Sequence, residues 1–497
     1  MGRLSANARW GRWLRNTAGV AALSCLALSH PVAAQNETSA PGGAWLTPEL
    51  KATAQQLIQT ATHDRTAYEL VESLTTEVGA RLAGSEAEAR ARQWALREMQ
   101  RLAFANVREE PFKVWHWQRG HEHAAIVSPF PQSLSITALG HSVGTPEGGI
   151  RAEVVRFATL DDLKEATAEQ VRGKIVFVDE GTTRTQDGSG YGMAVQKRSG
   201  AAAIAGPLGA VAALIRSVGT DHHRFPHTGV MRYPDEGAAI PAAALAAPDA
   251  DQLGRALKRG AVTVQLELHS EGGGRRQDAW TGNDEQLAPS GNVIAEVAGE
   301  TDEIVLLGAH LDSWDLGTGA IDDGAGVGII MAAAHLIQQL PQRPKRTIRV
   351  VLFGAEEVGI AGAKAYADKY ERSLAKHVIA AESDFGARKI WRFQTAFGDD
   401  QLAKKDAFLR VFRELGITPG DNNARGGPDL TFLRLAGVPV VSLTQNGWDY
   451  FDLHHTADDT FDKIDPEELA QNVASYAAFA WLAANIEGGF RAENAPD

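Results

Sequence analysis

Apolar residues recur every three or four positions between about Glu49 and Ala105: Leu70, Val71 and Leu74 first, then Trp94, Leu96, Met99 and Leu102. That spacing lines one face of a helix, and the stretch 79–85 interrupts it, so the pattern predicts two amphipathic helices that pack rather than react. Between Gly120 and Gly274 the pattern shortens. β-rich runs at 175–178 and 262–266 alternate with Ala- and Gly-rich stretches around 198–213. After Asn292 the runs 304–307, 348–353, 378–381 and 438–443 are apolar throughout, as strands buried on both faces are. Helical stretches at 326–340 and 406–415 separate them. Strands alternating with helices predict an α/β fold, a mostly parallel central sheet covered by helices on both faces. Residues 120–274 read as a β-rich domain inserted into it, which leaves 49–119 and 275–497 as the main domain. Glu271-Gly272-Gly273-Gly274 with Arg275 and Arg276 has the composition of a linker.

Composition narrows the partners. The chain of 497 residues is 44% hydrophobic and 22% charged, with a formal charge of −13. An acidic balance of this size argues against nucleic acid or an anionic membrane surface as partner. The first 34 residues read as a secretory signal: Arg3, Arg9, Arg12 and Arg15, an apolar run over 18–28, and Val32-Ala33-Ala34 as a cleavage site. The run is too short to span a bilayer. A secreted or periplasmic destination follows, with 35–48 as a flexible leader. Cys25, the single cysteine, lies inside the signal, so the mature chain has neither disulfide nor thiol chemistry.

The chemistry sits where the strands end. His310 and Asp312 follow the run 304–307, and Asp322-Asp323 precede a helix. Glu356-Glu357 follow 348–353, Asp384 follows 378–381, and His454-His455 follow the last strand by a loop. Each alone has an ordinary explanation, such as a helix cap for Asp322-Asp323 or a first-turn acidic pair for Glu356-Glu357. In an open α/β sheet, however, ligands bind beyond the carboxyl ends of the strands, and all these groups fall there. Histidines and carboxylates converging with no Arg or Lys among them need a cation. Mixed imidazole and carboxylate donors suit zinc.

Gly-Ala-His310-Leu-Asp312, Ile-Asp322-Asp323-Gly, Ala-Glu356-Glu357-Val-Gly, Glu-Ser-Asp384 and His-His455-Thr-Ala-Asp-Asp459-Thr resemble the M28 family of co-catalytic zinc metallopeptidases. Within it they are similar to the carboxypeptidase Q group. The likeness reaches into the inserted region, where Arg172-Gly173-Lys174 and Pro226-His227-Thr228-Gly229 resemble a protease-associated domain. The resemblance implies two Zn²⁺ per chain: His310 and Asp384 on one, Glu357 and His455 on the other, Asp322 bridging. It implies Glu356 as general base toward a shared water, and short peptides or dipeptides as substrates. Asp312 is expected to orient His310 and Asp459 to orient His455. Asp429, Asn446, Tyr450 and His454 are expected around the substrate pocket, His454 also competing with His455 as ligand. The inserted domain is expected to cover the cleft and to support a homodimer. Amino-, di- and carboxypeptidase share this metal core. A glutaminyl-cyclase-like acyltransferase or a non-catalytic binding protein could use the same fold with fewer ligands.

Overall fold

The computed structural model describes residues 45–234, 237–274 and 287–493. The expected signal with Cys25, most of the leader and part of the expected linker lie outside the described residues. Three helices open the fold: α1 (Pro48–Ala61), α2 (Thr66–Glu77) and α3 (Glu86–Arg101). The apolar spacing predicted two. The further break, at residues 62–65, is a restart in which the Asp64 carboxylate accepts the Thr66 N–H at 2.9 Å. Thr47 and Ser85 cap α1 and α3 by accepting from Leu50 and Glu88 N–H. Their apolar faces, Leu70, Val71, Leu74 and Trp94 among them, are buried in the main core.

β1 (Ala105–Trp115) follows. The chain then makes β2 (Glu122–Ser128), β3 (Gln132–Leu134), β4 (Ile136–Ala138), β5 (Ile150–Phe157), β6 (Ile175–Val178), β7 (Ala212–Arg216), β8 (Ala242–Leu245) and β9 (Thr263–Leu268). These form an eight-stranded sheet in the order β3-β2-β9-β5-β6-β7-β8-β4. The region is not only β-rich. Helices Ser189–Ala205 and Ala247–Leu257 belong to it, and the alanines that gave it an Ala/Gly texture, Ala194, Ala201, Ala202 and Ala205, are buried with Val176, Val178 and Ile215.

β10 (Leu287–Val297), β11 (Thr301–His310), β12 (Arg346–Phe353), β13 (His377–Glu382), β14 (Ile390–Thr395), β15 (Thr418–Pro419) and β16 (Val440–Gln445) join β1 in the other sheet. Its order is β1-β10-β12-β11-β13-β16-β14-β15. Its centre, β12-β11-β13-β16, is parallel. The pairs β1/β10, β10/β12 and β14/β16 are antiparallel, so the sheet is mixed around its parallel centre. The strand–helix alternation that suggested parallel strands holds for the centre and for the short β14/β15 pair. The Ala325–Gln338 helix is apolar all round and buried against the sheet together with the Pro466–Asn485 helix.

One buried titratable group beneath the sheet has a measurable consequence. His377, at the start of β13, is fully buried. Arg349 donates to Tyr366 Oη at 2.9 Å, and Tyr366 in turn donates to His377 Nε2 at 2.8 Å. Burial first, then the Arg349 charge, hold the imidazole down at about 4. The unfolded chain takes up a proton near pH 6.5 that the folded chain refuses. Stability is therefore complete above that pH and erodes as pH falls toward 4, by on the order of 3 kcal/mol. His377→Gln should flatten the change in urea midpoint between pH 7.5 and 4.5.

Candidate active site

The parallel centre of the mixed sheet presents its carboxyl ends to one side, and the polar groups read from the sequence meet there. His310 closes β11. The turn Ala320–Gly324 carries Asp322 and Asp323 into the Ala325–Gln338 helix, whose first turn Asp323 caps by accepting from Gly326 N–H at 3.0 Å. Glu356 and Glu357 follow β12, Glu382 closes β13 with Asp384 just beyond, and His454-His455 follow the short helix Tyr450–Leu453. Ala355 and His455 hold positive φ, 59° and 60°, at the two points where the chain turns to offer Glu356-Glu357 and the histidine. Side chains rarely accept this conformation, and it persists here because the surrounding contacts over-determine it.

His310 Nε2 lies 3.0 Å from Asp322 Oδ1 and 3.5 Å from Asp384 Oδ1. His455 Nε2 lies 2.9 Å from Glu357 Oε2 and 3.2 Å from Asp322 Oδ2. Two donor sets result, His310–Asp322–Asp384 and Asp322–Glu357–His455, the donor atoms of each within 4.8 Å of one another. Asp322 belongs to both. His454 Nε2 reaches Asp322 at 3.3 Å but stacks on His455, ring centroids 3.6 Å apart. A third set, His227–His454–His455, is also close. It fits a cation poorly, because the Arg198 guanidinium sits 3.1 Å from His227 Nε2.

The charge balance favours a cation between the first two sets. Asp312, Asp322, Asp323, Glu357, Glu382, Asp429 and Asp459 are all buried. Asp322 Oδ2 and Glu357 Oε1 have no hydrogen-bond partner. Burial, and then like charge from Asp322, push Glu357 up to about 7. Burial likewise lifts Glu356 well above the usual carboxylate range, with Asp384 and Glu357 adding to the lift against His310. His310 and His455 are held well above the ordinary imidazole value: burial acts against this, but Asp384 and Asp322, and Glu357 and Asp322, outweigh it. Bound cations reverse this logic, stabilising the carboxylates and the neutral imidazoles together.

The supports differ in part from the expectation. His310 Nδ1 faces the Asp312 carbonyl at 2.9 Å, and the Asp312 carboxylate accepts from Glu356 and Glu357 N–H at 3.0 and 3.3 Å. Asp459, expected beside His455, lies under Asp322 instead. It accepts from Ile321 and Asp322 N–H at 2.6 and 3.1 Å, because the turn of Asp322 leaves those donors otherwise unmade. His455 Nδ1 faces the carbonyl of Thr228, 3.3 Å away, from the region of the second sheet. Asp429, expected in the substrate pocket, is fully buried; its N–H donates to Glu382 at 3.3 Å, and neither oxygen of its carboxylate has a hydrogen-bond partner. Asn446 and Tyr450 line a slot of about 10 Å³, room for a single water at most.

Arg81 was read only as part of a helix break. It is fully buried, donating from Nε to Leu311 O at 2.5 Å, from Nη1 to Thr318 O at 2.8 Å and from Nη2 to Gly319 O at 2.9 Å. It ties the loop after β11 to the turn of Asp322, within the field of Asp459, Asp312, Asp323 and Asp322. A lone arginine in the break between two amphipathic helices, in Gly79-Ala80-Arg81-Leu82, was the available signal. Arg81→Met should leave several buried carbonyls unpaired and cost about 3–5 kcal/mol, seen as a lowered denaturation midpoint.

Histidines and carboxylates at the carboxyl ends of parallel strands, around a cation-seeking centre, define a metallohydrolase. The chain belongs to peptidase family M28 and is a metallopeptidase; the model of that family, described as Peptidase family M28, matches residues 292–480. It is 35% identical over 423 residues to carboxypeptidase Q of Mus musculus, covering 84% of this chain and 86% of that one. It is 51% identical to a solved Peptidase M28 precursor from Shewanella amazonensis, with a TM-score of 0.86, over 90% of this chain and 99% of that one. A zinc aminopeptidase from Bacillus subtilis, 20% identical, shares the fold with a TM-score of 0.59 over 86% and 98% of the two chains.

Proposed function

We propose that the protein is an exported exopeptidase that uses two zinc ions to hydrolyse peptide bonds of short peptides, dipeptides included. The observation that carries this reading is Asp322, shared by two buried donor sets, its two oxygens 3.0 and 3.2 Å from His310 and His455 Nε2. His310 and Asp384 would hold one ion, Glu357 and His455 the other, and Asp322 both. The signal features of residues 1–34 support export. We assign residues 49–119 and 275–497 to the catalytic domain and 120–274 to an inserted protease-associated-like domain, a division supported by the separate sheet that β2 to β9 form.

Zinc bound in these sets supplies Lewis acidity toward the scissile carbonyl and toward water. The remaining work falls to the chain. Glu356, less buried than Glu357 and in neither donor set, takes the proton of the attacking water and hands it to the leaving amide nitrogen. The Asp312 carboxylate, bonded to the N–H groups of Glu356 and Glu357, fixes which of the two faces the substrate. The carbonyls of Asp312 and Thr228 hold His310 and His455 in register, as the outer contacts of metal-binding histidines do. The mature protein incubated with a dipeptide panel should release amino acids, lose that activity to a chelator, and regain it at two equivalents of zinc. No hydrolysis by the zinc-loaded protein would overturn the reading.

A further inference from the structure

His227, His454 and His455 are buried, with donor atoms close enough to share one metal ion. A side chain from the region of the second sheet reaches into this set. Arg198, on the Ser189–Ala205 helix, is buried, and its Nη1 lies 3.1 Å from His227 Nε2 and 3.5 Å from His455 Nδ1. The same nitrogen donates to Tyr191 Oη at 2.8 Å and to the Thr228 carbonyl at 3.4 Å. Four polar atoms surround one nitrogen, as they would a small cation. A guanidinium can only donate, so its contact with His227 occupies the Nε2 lone pair that a metal would need.

The chain around Arg198 is shaped to seat it. Gly229 packs against the guanidinium: at a φ of 135°, a Cβ there would lie 2.2 Å from Nη1 and 2.4 Å from Cζ. Tyr191 stacks on Phe451, ring centroids 4.3 Å apart, just ahead of the histidine pair. Arg198 forms no ion pair among the described residues, and its Nε has no hydrogen-bond partner. Burying a guanidinium without an acid is costly, so an ordinary salt bridge does not account for it. His455 belongs to two donor sets, this one and Asp322–Glu357–His455. A neutral imidazole has a single free lone pair, so His455 can serve one set at a time. We propose that Arg198 stands in for a metal ion among His227, His454 and His455, and thereby reserves His455 for the two-ion centre. Zinc seated in the three-histidine set would draw His455 away and inhibit the enzyme. The proposal rests on the two-zinc reading above.

The test titrates zinc into metal-free wild type, Arg198→Ala, Arg198→Lys and the double variant Arg198→Ala with His227→Gln. Bound zinc, by equilibrium dialysis, and dipeptide hydrolysis are measured on the same samples. Once the two-ion centre is full, Arg198→Ala should bind further zinc and lose activity at a free zinc concentration about tenfold or more below that which inhibits wild type. Adding His227→Gln should abolish the extra binding and restore the tolerance, which a general loosening of the fold would not do. Arg198→Lys should keep much of the wild-type tolerance, because it keeps a cation in place. Arg198→Gln, closer to the native volume, carries the same comparison if the alanine variant does not fold. If the neutral variants tolerate excess zinc as wild type does, or if His227→Gln fails to reverse their sensitivity, the stand-in role is overturned while the two-zinc reading stands. A wild type that takes up no zinc overturns that reading, and this proposal with it.

Discussion

Glu356→Gln is expected to lower kcat by about 10³-fold, inside the 10²- to 10⁴-fold range of positioned proton transfer, while zinc content stays at the wild-type level. The amide keeps the size of the side chain and the backbone bond from Glu356 N–H to Asp312 Oδ1 at 3.0 Å. It loses only the ability to accept a proton. Its neighbour separates the roles, because Glu357 lies 2.9 Å from His455 Nε2 whereas Glu356 is in neither donor set. Glu357→Gln should therefore lose metal along with rate. The measurements are single-turnover hydrolysis of a dipeptide and metal analysis on the same samples. Turnover near the wild-type rate in Glu356→Gln would remove this residue from proton transfer.

Much of this centre was legible because several of its groups directly follow apolar runs that are unambiguous as buried strands. His310, Glu356-Glu357 and Asp384 each sit within a few residues of such a run, and a parallel arrangement brings those ends together. Backbone partners left no such trace. The carbonyls of Thr228 and Asp312 that face His455 and His310 belong to no residue type, so chain pattern could not point to them. Asp459 was within reach of the right neighbourhood but was given the wrong partner, since its hydrogen bonds depend on where the turn of Asp322 leaves its N–H groups. Asp429 has the spacing of a loop residue, and only the packing shows that it is fully buried beside Glu382. The antiparallel edges of the sheet were equally silent: β10 and β14 mix polar residues among apolar ones and form no continuous apolar run.

Asp322→Asn tests the shared donor directly. Its two oxygens face different histidines, Oδ1 toward His310 Nε2 at 3.0 Å and Oδ2 toward His455 Nε2 at 3.2 Å. A carboxamide offers one neutral oxygen, so one position loses its ligand and both lose the negative charge. Altering the outer contacts of metal ligands already costs 10- to 100-fold in affinity, so a direct donor should cost more than about 100-fold at each position. The variant, dialysed against zinc-free buffer, should retain close to no zinc and no measurable hydrolysis. It should also denature at the temperature of the chelated enzyme, because stabilisation by bound metal follows its affinity. Asp384→Asn supplies the contrast, since Asp384 belongs to one set only. It should lose about one equivalent and keep the other. If Asp322→Asn behaves like Asp384→Asn, keeping one tightly held ion, then Asp322 serves a single position and the two-ion centre built around it has to be abandoned.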